Sequence, residues 1–429
     1  MIFFLKNTIL QNFPFLKKPL RSAQCATRSG LVKFLSIINS EHLRASRFVE
    51  PLSIYACKEL DVIHLRPCEL VDPKPLPVSK DRLQSPQVEQ LNLPYNVPSQ
   101  YIAFLRHSHR LIIASYSYQR SGGHIFALGL DSGALIEDLS FDIFGNKLHL
   151  GLCDLSRDKY EHHSEPCVVV LEPQAPTYGH WLLDFLPRVL MTIDYIKSLG
   201  RQLQEFRWFV SGSNQTWERE ALQMLGLEMH NVYFVSSRQF ASFSDVLIPS
   251  FTSKGACNLS PSLLMHFRDT MTSACECLVY SKASKFGSAS IGKVKENPRK
   301  IYLTRSGEPF RNVLNEDSVI ELLRPFGFAA VNSRDLSFAE KVHIFSRCSF
   351  LVGVLSSGMS HAIFMKEGTL VVNILPTGYF PPAEARISRC VGVKQIILPV
   401  KDSRQSSNRY GDIEVDLEAL KSCVANCAI

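Results

Sequence analysis

The chain has 429 residues, room for two or three domains and a sizeable buried core, which excludes a small scaffold held together by disulfides. Its 45% hydrophobic and 20% charged content, with a mean hydropathy of +0.01, excludes wholesale disorder. The net charge of +7 sits entirely in residues 1–48, where eight basic side chains stand against Glu41 alone; residues 49–429 balance, so no basic surface for nucleic acid is expected there.

Residues 1–48 interleave Lys and Arg with Phe and Leu, as in Met1-Ile-Phe-Phe-Leu-Lys6 and Phe13-Pro-Phe-Leu-Lys17-Lys18. No run approaches the roughly 18 to 20 apolar residues of a membrane span, and the charges do not precede the apolar stretch as in a cleavable signal. The segment reads as a leader or as a contact with an anionic membrane face. Prolines 73, 75, 77, 86, 94 and 98 mark a connector, and what precedes it is expected to stay outside the main fold. Residues 100–165 are β-rich, with strands expected at 111–115 and 124–128. Short apolar runs at 167–171, 207–211, 231–235 and 245–249 then alternate with helical stretches at 181–199 and 216–225, a βαβ pattern that predicts a parallel sheet. Polar and small residues at 281–299 read as a linker. A second alternating block follows: strands at 301–304, 328–331, 350–354 and 369–375, helices at 315–326 and 337–347, and a short helix opening near Ser357. Two Rossmann-like blocks invite a ligand between them.

Twelve cysteines occur without a C-x-x-C, so zinc-ribbon and thioredoxin-type sites have no anchor and reduced thiols are expected. G-x-G-x-x-G, the P-loop and H-E-x-x-H are absent. Gly353 to Gly358 is one residue too long for a nucleophile elbow, which counts against a hydrolase reading on Ser356 or Ser357. Strict D-x-D is missing, the nearest match being Glu414-Val-Asp416. No metal site is assigned and dependence on a divalent metal is left open; phosphate charge would fall to Arg and to helix starts.

Three segments carry chemistry. In Tyr178-Gly-His180-Trp-Leu-Leu-Asp184-Phe-Leu-Pro-Arg188, helical spacing puts His180, Asp184 and Arg188 in one row. Pro187 interrupts it, so the helix either bends there or starts near Leu186. His180 then either packs beside Trp181, with Asp184 and Arg188 as a surface pair, or the row forms an acceptor or general-base site. In the second segment Arg305 and Arg311 leave the carboxyl end of a predicted strand before a helix capped near Asn315. Planar guanidinium donors there suit a diphosphate, the alternative being a solvated loop. In the third, Ser356, Ser357 and Gly358 follow a buried-looking strand at a helix start, where amides and the dipole favour anions.

Together these segments resemble glycosyltransferase family 61, the DUF563 group that includes bacterial capsular-polysaccharide enzymes and eukaryotic xylosyl- and N-acetylglucosaminyltransferases. The carrying residues are Gly179-His180-Trp181 with Asp184 and Leu186-Pro187; Tyr302-Leu-Thr-Arg305 with Arg311 and Asn315-Glu316; Leu336-Ser-Phe338-Ala-Glu340; and Val352-Gly353 with Ser357-Gly358-Met359-Ser360. The resemblance spans roughly residues 165–376. It implies a GT-B-like fold, a nucleotide-sugar donor on the C-terminal block, an acceptor on the N-terminal block, and inversion at the anomeric carbon. Two positions depart from the family pattern: Leu355-Ser356 stand where His-Gly is usual, and His361 where Asn is common.

The resulting expectation is an α/β protein with two Rossmann-like domains facing a cleft and a short β-rich N-terminal region. Its boundaries are 1–98 for the basic segment and connector, 99–280 for the β-rich region and acceptor domain, 281–299 for the linker and 300–429 for the donor domain. Between His180 and Asp184, His180 is taken as the base, because an imidazole of reference pKa about 6.5 is available at neutral pH, and Asp184 as its orienter. Donor contacts are expected from Arg305, Arg311, Asn315, Glu340, Ser356, Ser357, Gly358 and His361, and acceptor contacts from Trp181 and Arg188. The function expected is transfer of a sugar from a nucleotide diphosphate to a glycan or lipid-linked acceptor in surface-polysaccharide biosynthesis. The alternative, motivated by Leu355-Ser356, is an inactive member that binds glycan or acts in assembly. No cofactor is firmly implied and no nucleic-acid partner is expected. The absence of a signal anchor favours a bacterial cytoplasmic enzyme with peripheral contact with the inner membrane face.

Overall fold

The computed structural model describes residues 50–52, 60–71, 94–105, 111–117, 124–130, 134–136, 139, 161–172, 177–235, 240–253, 258–285, 298–376, 382–400 and 411–427. The basic segment 1–48 lies outside them, as do most of the connector and residues 286–297 of the expected linker.

The first block is built on four parallel strands in the order Val232–Val235, Arg207–Ser211, Cys167–Val170, Val246–Pro249. In chain order this is 3-2-1-4, so connections leave Cys167–Val170 in opposite directions and a crevice opens at the carboxyl ends between it and Val246–Pro249. Strict alternation decides the packing. Val168 and Val170 face the helices, while Cys167 and Val169 face a second sheet.

That second sheet corrects the extent of the β-rich region, expected at 100–165. Strands Leu111–Ser117 and His124–Leu130 pair as expected, but Phe240–Phe243 and Glu161–His163 join the same sheet. Leu111, Leu128, Leu130 and Ile136 pack with Val169, Phe209 and Ile248. The reason is coverage: helical residues 178–198, 216–224 and 261–285 pack in the cluster on the other face, so the remaining apolar face needs a sheet. A further correction concerns the residues before the connector. Strand Leu60–Arg66 pairs antiparallel with Gln100–Leu105, which pairs with Val246–Pro249, so the segment edges the main sheet.

The second block is a five-stranded parallel sheet ordered Phe328–Val331, Lys300–Leu303, Phe350–Val354, Leu370–Pro376, Lys394–Val400. Helices cover both faces: Glu316–Leu323 and Leu417–Cys427 on one, Phe338–Arg347 and the 3-10 run Ser357–Phe364 on the other. The order 2-1-3-4-5 puts its switch point between Lys300–Leu303 and Phe350–Val354. Helix Pro261–Lys285 extends past the expected linker start at 281, since no Gly or Pro interrupts it before Lys285. It packs in one apolar cluster with Trp181, Phe338 and Phe364, a cluster that runs through both blocks.

Among the described residues the eight cysteines are free thiols, and no helix is long and apolar enough to cross a membrane.

Candidate active site

Residues 178–198 form one helical run with a wide turn in it. Tyr178–His180 is α-helical, Trp181–Phe185 is a π-helical turn, and Leu186–Ser198 is α-helical again. Leu186 N–H reaches back five residues to Trp181 O, so the ladder is already shifted where Pro187 supplies no N–H. The second expectation for Pro187 is met: the regular α-helix starts at Leu186 with the proline in its first turn, and the wide turn joins it to Tyr178–His180.

This turn stands at the carboxyl-end crevice of the first sheet. His180 Nδ1 lies 2.8 Å from Asp184 Oδ2, and Ser253 Oγ donates to Asp184 Oδ1. Asp184 is buried, whereas the His180 side chain keeps 27% of its surface, enough for its ring to meet a substrate. With Asp184 an acceptor, Nδ1 carries the proton and Nε2 presents a lone pair. Ser253 lies 69 residues from Asp184, beyond any local sequence signal.

Arg188 is buried and bridges the crevice. Its Nη1 donates to Leu171 O at 2.6 Å, Nη2 to Pro249 O at 2.8 Å and Nε to Ser250 O at 2.9 Å. Glu172 lies 3.6 Å away, the ring of Phe251 packs against the guanidinium, and burial lowers its pKa to about 10. Arg188 ties two strand ends together and offers the acceptor no exposed face. Trp181 is also fully buried, donating to Ser211 O, so the structure presents neither residue expected at the acceptor to solvent.

At the second sheet's switch point the other two segments meet. Arg311, held at φ 54°, donates from Nη1 to Leu355 O at 2.7 Å. Arg305 uses Nε and Nη2 on the carbonyls of Arg311 and Phe310, and burial lowers its pKa. Glu316 organises this loop, accepting from Tyr302 Oη at 3.1 Å, Thr304 Oγ1 at 3.4 Å and Arg305 N at 2.8 Å. Ser357 and Gly358 open the 3-10 run and are half-buried; Ser356 is buried before them. A Cβ at Gly358 would lie 2.9 Å from Leu303 Cδ2, which accounts for a glycine there.

Three expected donor residues are occupied otherwise. Asn315 exchanges hydrogen bonds with the Val415 backbone, and Glu340 closes a capping box with Ser337 at the start of its helix. His361 is buried, with Nε2 2.9 Å from Tyr178 Oη and its ring stacked on Phe345. The first and third segments nevertheless touch. A Cβ at Gly179 would lie 3.2 Å from Ser360 Oγ and 3.6 Å from Ser357 Oγ, so the His180 turn rests directly on the 3-10 run. Among the described residues no three His, Cys, Asp or Glu side chains converge as a metal site would require.

Residues 178–372 match the family model described as Glycosyltransferase 61, a span that contains all three segments. The protein is thus a glycosyltransferase. Over that span it carries a family 61 domain, as the motif resemblance implied. No curated protein matches the chain. Among solved structures the chain is similar to the dodecameric iron-containing glycosyltransferase TibC of enterotoxigenic E. coli H10407, at 11% identity over 67% of this chain and 77% of that chain with a TM-score of 0.26, and to the TibC heptosyltransferase in complex with ADP-D-beta-D-heptose, at 12% over 66% and 77% with a TM-score of 0.25.

Proposed function

We propose that the protein transfers a sugar from a nucleotide diphosphate to a hydroxyl of a glycan or lipid-linked acceptor, with inversion, and that His180 is the base. The observation that carries this reading is the His180–Asp184–Ser253 chain at the mouth of the first sheet, resting against the 3-10 run at the mouth of the second. Nε2 takes the acceptor proton; Asp184 fixes the tautomer and stabilises the imidazolium that forms; Ser253 holds the carboxylate. The acceptor oxygen attacks the anomeric carbon as the diphosphate leaves from the opposite face. Negative charge growing on the leaving group is met by the fixed charges of Arg305 and Arg311 and by the opening amides of the 3-10 run, which need no reorganisation.

In this reading the second block holds the donor, the first presents the acceptor, and the two face each other in a GT-B-like manner. Surface-polysaccharide assembly in a bacterial cytoplasm is the setting that the family resemblance supports. The basic excess of residues 1–48 supports reversible contact with an anionic inner membrane face, where each engaged Lys or Arg contributes on the order of 1 kcal/mol. Co-sedimentation with anionic and neutral vesicles, comparing the full chain with one starting at Phe48, tests that contact; equal partitioning removes it.

Calorimetric titration with the common nucleoside diphosphates tests the central reading, and saturable binding of at least one is expected. His180→Asn should lower turnover about 100-fold while leaving donor affinity nearly intact. Absence of binding to all of them overturns the donor assignment, and loss of donor binding in His180→Asn overturns the role of the base.

A further inference from the structure

Tyr178 and His361 stand 183 residues apart in sequence and share a hydrogen bond of 2.9 Å. Tyr178 begins the helical run that carries His180 two residues later, and His361 lies four residues after Ser357 in the 3-10 run. Between them the backbone of Gly179 rests on Ser357 and Ser360 with no room to spare. The pair is therefore the polar fastening of the surface along which the proposed base and the proposed donor turn touch.

Its surroundings make the bond durable. Tyr178 packs beside Trp217, at 4.9 Å between ring centroids, and Lys341 Nζ lies 5.1 Å from the Tyr178 ring. Phe345 stacks on the imidazole at 4.5 Å. Burial, reinforced by Lys341, pushes the His361 pKa down to about 3, so the ring stays neutral at any working pH and its bonding does not switch. With His361 buried, its ring nitrogen is costly to leave without the phenol.

We infer that Tyr178 and His361 are a positioning pair that sets the His180 imidazole in register with the donor turn. The inference rests on the reading of His180 as base and of Ser357–Gly358 as donor turn. Neither residue touches substrate. Their effect is geometric, and displacements of about 1 Å in a reacting pair cost up to roughly 100-fold in rate.

The test uses the full chain and four variants: Tyr178→Phe, His361→Leu, His361→Gln, and Tyr178→Phe combined with His361→Leu. Tyr178→Phe and His361→Leu should each lower kcat about tenfold with donor KM within about twofold, and the double variant should be no worse than either single one. His361→Gln, which loses the stacking but keeps a group able to bond the phenol, should recover most of the kcat lost in His361→Leu. Amide exchange at residues 179–182 should be faster in Tyr178→Phe, a measurement that needs no turnover. Multiplying losses in the double variant, equal loss in His361→Gln and His361→Leu, or unchanged exchange in Tyr178→Phe overturns the pair. Failure of the transferase reading shows instead as absent diphosphate release by the unaltered chain while the exchange difference persists.

Discussion

A carboxylate of the first block caps a helix of the second: Glu220 Oε2 accepts the backbone N–H of Phe338 at 2.7 Å. Phe338 is the first residue of its helix, so the bond satisfies an amide with no partner inside the helix and places negative charge at the positive end of the dipole. Glu220→Ala should lower stability by about 1 kcal/mol, and by less in high salt. Denaturant titration at two salt concentrations checks this; an unchanged midpoint at low salt would show that the contact contributes nothing.

Arg188 gives a larger expectation. Its planar fork satisfies three buried carbonyls from two strand ends while standing beside Glu172. Arg188→Met leaves those three buried carbonyls unmatched and removes the cation beside Glu172, at a cost of about 3–5 kcal/mol. Arg188→Lys should not restore the loss, because one ammonium cannot reproduce the three directions. Thermal unfolding of both variants decides; a lysine variant as stable as the parent would refute the fork argument.

The buried imidazole of His361 sets a pH dependence whose sign is fixed. Its pKa is about 3 in the folded chain and near 6.5 when unfolded. Between those values the unfolded state binds the extra proton, so the stability this neutral ring permits is complete above about 6.5 and drains away as pH falls toward 3. The stability difference between the parent and His361→Gln should therefore shrink from pH 7.5 to pH 5. Urea titrations at the two values measure it, and a difference constant with pH would sink the expectation.

Glu316 holds the donor-side loop through Tyr302, Thr304 and the Arg305 amide. Charge-assisted bonds of this kind are worth about 1.5–3 kcal/mol, so Glu316→Gln should weaken nucleoside diphosphate binding about tenfold or more. Calorimetry reads it directly, with circular dichroism to confirm an intact fold; undiminished affinity would mean the loop does not shape the donor site.

Much of this architecture is legible in the sequence because parallel strands buried on both faces read as continuous apolar runs, and 207–211 and 350–354 fall where those runs predict. The covering sheet is not legible in the same way. Glu161–His163 has no apolar run at all, and Phe240–Phe243 gains its place between that strand and Leu111–Ser117, the latter more than a hundred residues earlier. The same divide runs through the site. His180 and Asp184 are four residues apart and announce their contact, whereas Ser253 meets Asp184 only once two strands lie side by side. Spacing also cannot tell a guanidinium that reaches outward from one turned inward, and Arg188 is turned inward.

The wide turn at Trp181–Phe185 sets the rotational phase of everything before it. One surplus residue corresponds to about 100° around a helix of 3.6 residues per turn. The cylinder from Leu186 onward can therefore keep its greasy side buried while the preceding residues take their azimuth from the 3-10 run they touch. Removing a single residue from 181–185 would leave the composition of the helix almost unchanged. It would swing the imidazole about a quarter of a circle around the axis of Leu186–Ser198 and bring Pro187 back against an ordinary α-helical ladder.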